Sequence, residues 1–248
     1  YIGGFNVGDE YIGRNYRFGF WRDTHLRIVG SAVADLKVRF LQDWNFVTGG
    51  DEMEEREVIA HPSENGDAFC QLVFSGPDSP QANIKLSMLK MIASADDVIY
   101  MQTPYFIPDQ SFYDALVVAL QQGVEVNIMI PNRPDHPIVF PATMSFAGDL
   151  IRAGARVYRY ERGFMHSKVM IIDDYVSMVG SCNIDERSFS LNFEASELVY
   201  SPRINARLKR AFHEDMQDST LLTREVYNKR SWLLKLKEPI CRLFAPLL

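Results

Sequence analysis

The chain is poor in cysteine. Cys70, Cys182 and Cys241 are odd in number and widely spaced, and no C-x-x-C pair occurs. That excludes a disulfide scaffold and a cysteine-based zinc site; the three read as reduced thiols of a cytosolic compartment. Apolar runs of roughly 18 residues or more are also missing, so no helix of this chain is expected to span a bilayer. Basic residues are not in surplus: the net charge is −6 and the pI about 5.4. Chains that bind nucleic acid through its phosphates usually carry a basic excess, so no nucleic-acid partner is expected, although a local basic cleft would fit within an acidic total. There is no signal-peptide pattern and no initiator Met; the chain reads as opening, at Tyr1, inside a longer pattern.

What is present is ordinary globular material. The chain has 248 residues, 47% hydrophobic and 23% charged, enough for one large domain or one and a half smaller ones. The first 48 residues hold a Gly-rich start, a polar loop, a short strand in "THLRIVG" and a helix in "SAVADLKVRFLQDWNFV", where Leu36, Phe40 and Trp44 recur at helical spacing. Residues 49–70 are acidic, polar and turn-rich, as in a linker or surface loop. From 71 onward strands and helices alternate: "CQLVFSG", "ANIKLSMLKMIASA", "DDVIYMQTPYF", "SFYDALVVALQQG", "VEVNIMIP", "FPATMSFAGDLIRAG", "ARVYRYE", then the strand pair "KVMIIDD" and "YVSMVGS". Such alternation predicts an α/β fold with helices on the faces of a sheet.

A faint internal repeat runs beneath this. "YIGGFN" at the start matches "MVGSCN" at Met178–Asn183. A polar loop follows each, then an acidic residue entering a strand, Asp23 in one copy and Glu194 in the other. A helix with similar ends closes each copy, "RFLQDW" and "RAFHEDM". Residues 1–48 thus read as the tail of a unit whose complete copy fills 71–218.

The richest stretch is "MHSKVMIIDDYVSMVGSCN", Met165 to Asn183. His166 and Lys168 are two apart and project from one strand face; Ser181 and Asn183 are likewise two apart. Four polar groups then converge. A neutral imidazole is a competent nucleophile near neutral pH. Lys168 offers a fixed positive charge, and Ser181 and Asn183 offer neutral donors, a set suited to an anion with several oxygens such as a phosphoryl centre. No metal-ligand cluster is evident and no cofactor is expected; Lys168 and the donors would do what Mg²⁺ does elsewhere. Glu194 is expected to bond the far imidazole nitrogen of His166, as the carboxylate does in a serine-protease triad. An isolated His before a strand is ordinarily a solvated or capping residue, and H-x-K alone is common. Six agreeing positions with an echo at Tyr1–Asn6 are not.

The spacing His166-x-Lys168-x4-Asp173-x6-Gly180-Ser181-x-Asn183 resembles the signature of the phospholipase D superfamily. The resemblance implies two similar α/β units packed as a sandwich, whose two His-Lys-Asp motifs meet at one site. One His would attack phosphorus to form a phosphohistidine and the other would protonate the leaving alcohol; Asp173 would be more structural than catalytic. "QLVFSGPDSP", "IYMQTPYFIPDQSF", "IMIPNRPDHP", "NIDERSFSLNFE" and "FGFWRDTHLRIVG" narrow the resemblance to bacterial cardiolipin synthases of this superfamily. These join two phosphatidylglycerols and release glycerol at the cell membrane. Pro141 and Ser167 depart from the familiar pattern but touch no signature position.

If Gly3 corresponds to Gly180, the partner His lies 12 residues upstream of Tyr1. Gly4, Asn6 and Asp23 are then what this chain holds of the first half-site, and the upstream half of the same polypeptide would complete it. Two copies sharing one site across a dimer is the alternative. A phosphodiesterase using water as acceptor and an inactive lipid-binding remnant are the rival functions.

Beyond the motif, "TPYFIPD" follows a strand and should sit at the sheet's carboxyl edge, where α/β ligands bind. Pro104 would stiffen it, Tyr105 and Phe106 either face lipid chains or pack the core, and His136 either touches a headgroup or is a plain loop residue. His25 reads as structural, His61 and His213 as solvated. The C-terminal "SWLLKLKEPICRLFAPLL" either lies in a bilayer interface or docks on the domain, with Pro239 expected to break any long helix.

Overall fold

The computed structural model describes residues 1–50, 59–63, 66–133 and 135–247. Part of the acidic stretch read as a linker, 51–58 with 64 and 65, lies outside the described residues.

The N-terminal segment contributes three short strands, β1 (Ile2–Gly3), β2 (Phe20–Arg22) and β3 (His25–Leu26), and one helix, α1 (Val33–Thr48). The strand expected over "THLRIVG" shrinks to the two residues of β3, which pair antiparallel with β1. On α1 the buried side chain is Leu41, 5% exposed, while Phe40 and Trp44 face outward. The helix is where its periodicity put it, turned so that a neighbouring stripe meets the domain.

The remainder runs β4 (Phe69–Ser75), α2 (Asn83–Ala93), β5 (Val98–Gln102), α3 (Gln110–Gln121), β6 (Glu125–Pro131), α4 (Val139–Ala153), β7 (Arg156–Tyr160), β8 (Gly163–Met165), β9 (Val169–Ile172), β10 (Val176–Gly180), β11 (Glu194–Tyr200), α5 (Pro202–Gln217), β12 (Ser219–Leu221), α6 (Arg224–Asn228) and α7 (Trp232–Arg242). Strand β4 begins inside the stretch read as a linker. Eight strands form one mixed sheet in the order β12-β7-β6-β5-β9-β10-β11-β4. The β5-β6-β7 centre is parallel, because α3 and α4 carry the chain back between strands. The β9-β10-β11-β4 half is antiparallel.

Strands β5, β6, β9 and β10 are buried along nearly their whole length, which is why they read as continuous apolar runs. Helices α2, α3 and α4 cover one face through Ile84, Phe112, Leu116 and Leu150, each essentially unexposed. On the other face Phe212 of α5 packs with Tyr100, Tyr158 and Val179. Leu26 of the N-terminal segment joins that second cluster. Pro141 is the third residue of α4, in the first turn, where its missing N–H costs no helical bond. Pro239 does not break α7 as expected: it lies inside an 11-residue helix. Glu238, next to Pro239, accepts from Arg230 at 2.9 Å and from Tyr227 at 3.2 Å and anchors the helix at that point.

The internal repeat has a counterpart in strand register. β1 and β3 pair Gly3 with His25; β10 and β11 pair Gly180 with Ser196. Gly3 matches Gly180, and His25 follows Asp23 by the two residues that separate Ser196 from Glu194. Sequence echo and ladder register therefore agree.

Candidate active site

A short parallel ladder builds the site. β2 pairs with β8 in the register Arg22 to Met165, and His166 N–H donates to the Arg22 carbonyl at 2.7 Å. The next residue on each chain is Asp23 and His166, so both side chains emerge at one point. Gly163 permits the approach: a Cβ there would stand 1.8 Å from the Phe20 carbonyl oxygen. His166 Nδ1 lies 2.9 Å from Asp23 Oδ2. A carboxylate accepts, so Nδ1 carries the proton of the neutral ring and Nε2 keeps its lone pair.

Lys168 lies against the same imidazole. Its Nζ is 2.9 Å from His166 Nε2 and donates to the His166 carbonyl at 2.7 Å. Gly4 floors the cluster; a Cβ there would meet Asp23 Oδ2 and Lys168 Cδ at 3.0 Å each. The walls are aromatic: Tyr11 edge-on to His166 at 5.5 Å, Trp21 at 4.9 Å and Phe164 at 6.2 Å between ring centres. Trp21 Nε1 is buried and has no hydrogen-bond partner among the described residues.

This enclosure governs protonation. Burial pushes the His166 pKa down, and the Lys168 charge adds to that, while Asp23 pulls it up. Burial pushes the Lys168 ammonium down to about 7, against Asp23, Glu194 and Asp185. The lysine is therefore not the fixed charge expected from sequence. It titrates near neutrality, and an anion placed beside it would favour its charged form.

The expected bond from Glu194 to His166 is not made. Glu194 accepts from Ser181 Oγ and from Asn192 Nδ2 at 3.4 Å, and Asp23 takes the position on His166. The reason is register: Asp23 follows β2, which lies beside β8, whereas Glu194 opens β11, which lies beside β10. Burial raises the Glu194 pKa. Ser181 Oγ also accepts from Ala195 N–H at 3.1 Å, so it fixes the start of β11. Asn183 is half-buried, and its Oδ1 has no partner among the described residues.

Asp173 lies elsewhere, at the far end of β9 from Lys168. It adopts a left-handed φ of 45° and accepts backbone N–H bonds from Asp96, Asp97 and Val98 at 2.9, 3.0 and 2.7 Å. Asn6 is exposed and donates to Tyr11 Oη at 3.1 Å. In the loop after β5, Pro104 is buried and Phe106 wholly so, its N–H donating to Thr143 Oγ1 at 3.2 Å. Phe106 is a core residue and does not face lipid. Tyr105 donates to Asp135, and exposed His136 stands edge-on to Tyr105 at 6.1 Å.

Sequence reasoning passed over several neighbours. Asp185, 4% exposed with its pKa raised by burial, lies two residues past Asn183, at the same offset that pairs the other polar residues. Tyr11 and Trp21 carried no spacing signal. Arg22 donates to Asp215 at 2.7 Å, to Thr24 Oγ1 at 3.1 Å and to the Asp23 carbonyl, while Gln102 Nε2 donates to Asp215 at 2.8 Å. Among the described residues no group of His, Cys, Asp and Glu is arranged to hold a metal ion.

A mixed α/β sheet with a His-Lys-carboxylate cluster beside its central strands defines a phospholipase D-like domain. The family described as cardiolipin synthase, PLD-like domain, matches residues 88–216, and the chain belongs to it. The chain is 49% identical over its whole length to the cardiolipin synthases of Oceanobacillus iheyensis and Staphylococcus aureus strain Mu50. It spans about half the length of each, 52% and 50%. Among solved structures, phosphatidylserine synthase from Haemophilus influenzae superposes with a TM-score of 0.62 at 15% identity, over 87% of this chain and 60% of that one. Nuc, a phospholipase D family member from Salmonella typhimurium, superposes at 0.55 and 21% identity, over 63% of this chain and 99% of that one. These two likenesses concern the fold.

Proposed function

We propose that this chain is the C-terminal part of a phosphatidyltransferase that makes cardiolipin from two phosphatidylglycerol molecules at a bacterial cell membrane, working from its cytoplasmic side. Residues 1–48 are the tail of a first unit, 49–70 a connection, and 71–248 a second, complete unit. The partner motif comes from the upstream half of the same polypeptide. Identity to cardiolipin synthases supports the substrate; the crossing of Asp23 onto His166 is the observation that carries the chemistry.

In this reading one imidazole attacks phosphorus of the first phosphatidylglycerol. The P–N bond forms as the P–O bond to glycerol breaks, and the leaving oxygen takes its proton from the second imidazole. That second imidazole then removes the proton of a headgroup hydroxyl on another phosphatidylglycerol. The hydroxyl oxygen attacks phosphorus, the P–N bond breaks and cardiolipin leaves. His166 is one of the two. Asp23 holds its tautomer and stabilises its charged form. Lys168, charged when a phosphate arrives, and Asn183 stabilise the equatorial oxygens. By the repeat, Glu194 stands to the partner His as Asp23 stands to His166, with Ser181 aiming it. Gly4 and Asn6 are the counterparts of Ser181 and Asn183, and Pro104, Tyr105 and His136 border the entrance. Excluding water favours a lipid alcohol over hydrolysis.

The test supplies phosphatidylglycerol vesicles to the full-length polypeptide and analyses the products. Cardiolipin with equimolar glycerol, lost in His166→Ala, is the expected result. Phosphatidic acid as main product would make the protein a phosphodiesterase. Vesicle binding without turnover, unaffected by His166→Ala, would make it a lipid-binding remnant.

A further inference from the structure

Helix α7 keeps an apolar surface in solvent. It packs against α4, and its buried residues are Glu238 and Cys241, 3% and 6% exposed. Trp232, Leu233, Leu236 and Ile240 are 71%, 58%, 57% and 49% exposed, and Leu243 just beyond the helix is 79% exposed. At about 100° per residue, Trp232, Leu236, Ile240 and Leu233 fall within an arc of about 100°. Lys237 lies about 40° beyond one edge of that arc and Lys235 about 60° beyond the other. A single helix thus has one side docked on the domain and an apolar stripe outside, flanked by lysine on both sides.

Charge separates this segment from the rest of the chain. From Arg224 onward there are six basic and two acidic residues, in a protein whose net charge is −6. Beside α7 runs a cleft of about 710 Å³ lined by Arg152, Lys235 and Arg242. Asp149 pairs with both Arg152 and Arg242, so one carboxylate serves two guanidinium groups. Protein–protein interface cores are depleted in lysine. An apolar arc rimmed by lysine stems, with an exposed Trp at its first turn, has instead the form of an interfacial helix, whose lysines reach past the apolar layer to phosphates.

We infer that α7 seats this face of the protein on an anionic lipid surface. Trp232, Leu233, Leu236 and Ile240 enter the acyl boundary, and Lys235 and Lys237 meet headgroup phosphates. Pro239 fits that setting: it leaves the Lys235 carbonyl without its helical donor, at a level where water remains. The docking surface lies apart from the His166 cluster and does not depend on which reaction that cluster runs. Its test therefore reads binding.

Hydrogen exchange of the full-length polypeptide is compared without vesicles, with phosphatidylcholine vesicles and with phosphatidylglycerol vesicles. Amides of Trp232–Arg242 should gain protection with phosphatidylglycerol and little with phosphatidylcholine. Lys235→Gln and Lys237→Gln should each weaken binding to phosphatidylglycerol about fivefold, and together about 25-fold, from roughly one anionic-surface contact per lysine. Both are exposed, so the fold should tolerate them. Leu236→Ser should weaken binding to phosphatidylglycerol without restoring exchange elsewhere. Full protection before vesicles are added would mean that an upstream segment or a second copy already covers the stripe, and overturns the proposal. So does protection that is absent with phosphatidylglycerol, equal with both lipids, or unchanged in the double lysine variant.

Discussion

His166 and Asp23 are 143 residues apart in the chain, and their side chains meet at 2.9 Å. The contact is made because β2, from the N-terminal segment, pairs in parallel with β8 and ends level with it. The carboxylate bonded to this imidazole comes from the N-terminal segment and not from the strands that carry the motif.

Asp23→Asn should therefore damage His166 chemistry while leaving Glu194 intact. An amide can present the wrong group to Nδ1, and loss of tautomer control in a comparable arrangement costs about 10⁴-fold. A fall in kcat/KM of roughly 10²- to 10⁴-fold is expected, with little change in melting temperature. Asp23 raises the His166 pKa. Its loss should shift to lower pH whichever limb of the profile His166 governs, the acid limb for the nucleophile and the basic limb for the general acid, which a kcat/KM profile from pH 4 to 9 would reveal. Full activity in Asp23→Asn would reduce the contact to a structural one.

Lys168 gives a second pH signature. Burial pushes its ammonium down to about 7. A phosphodiester such as glycerophosphoglycerol keeps one charge across this range, so its binding reports the protein alone. Affinity should be level below pH 7 and weaken above it, as the lysine must first take up a proton. Calorimetry at pH 8 in two buffers of different ionisation enthalpy should show proton uptake, and Lys168→Met should lose both effects. Affinity that rises with pH would contradict this.

Asp173 should behave as a stability residue. Its three backbone hydrogen bonds join the β9–β10 turn to the start of β5. Asp173→Ala strands those donors and places alanine at a positive φ, so a loss of about 2–4 kcal/mol is expected in urea unfolding. The kcat of the folded fraction should stay within a few-fold of the parent. A catalytic defect without a stability defect would move Asp173 into the chemistry.

Arg22 and Asp215 form the anchor behind Asp23. Their side chains are only 17% and 10% exposed. Removing one partner leaves a buried charge, so Arg22→Met or Asp215→Leu alone should cost about 3–5 kcal/mol. The double variant should cost less than the sum of the two, the sign of direct coupling. Additive losses would show that the pair does not act as a unit.

Much of this was legible in the chain. Strand and helix periods placed almost every element from β4 to β12, because buried parallel strands and amphipathic helices leave strong local patterns. The six-position motif marked His166 and Lys168, and the echo at Tyr1–Asn6 anticipated the register shared by β1–β3 and β10–β11. The errors lie where tertiary contact overrides local pattern. Position in the chain points Glu194 at His166, and a Pro-rich loop with no period does not tell whether Phe106 faces lipid or core. The local cost of Pro239 predicts a break, and it does not show that Arg230 and Tyr227 hold the helix from outside through Glu238.

The sequence by itself determined the class of fold, the motif that places His166 and Lys168 two apart beside β9, and the echo between Tyr1–Asn6 and Met178–Asn183. These depend on spacing along one chain, and spacing is what a sequence records. Only the tertiary structure decided which carboxylate bonds His166, that burial makes the charge of Lys168 conditional, and that one side of α7 stays exposed. Each depends on which segments lie beside one another after folding, and the desolvation and register that follow are properties of that neighbourhood.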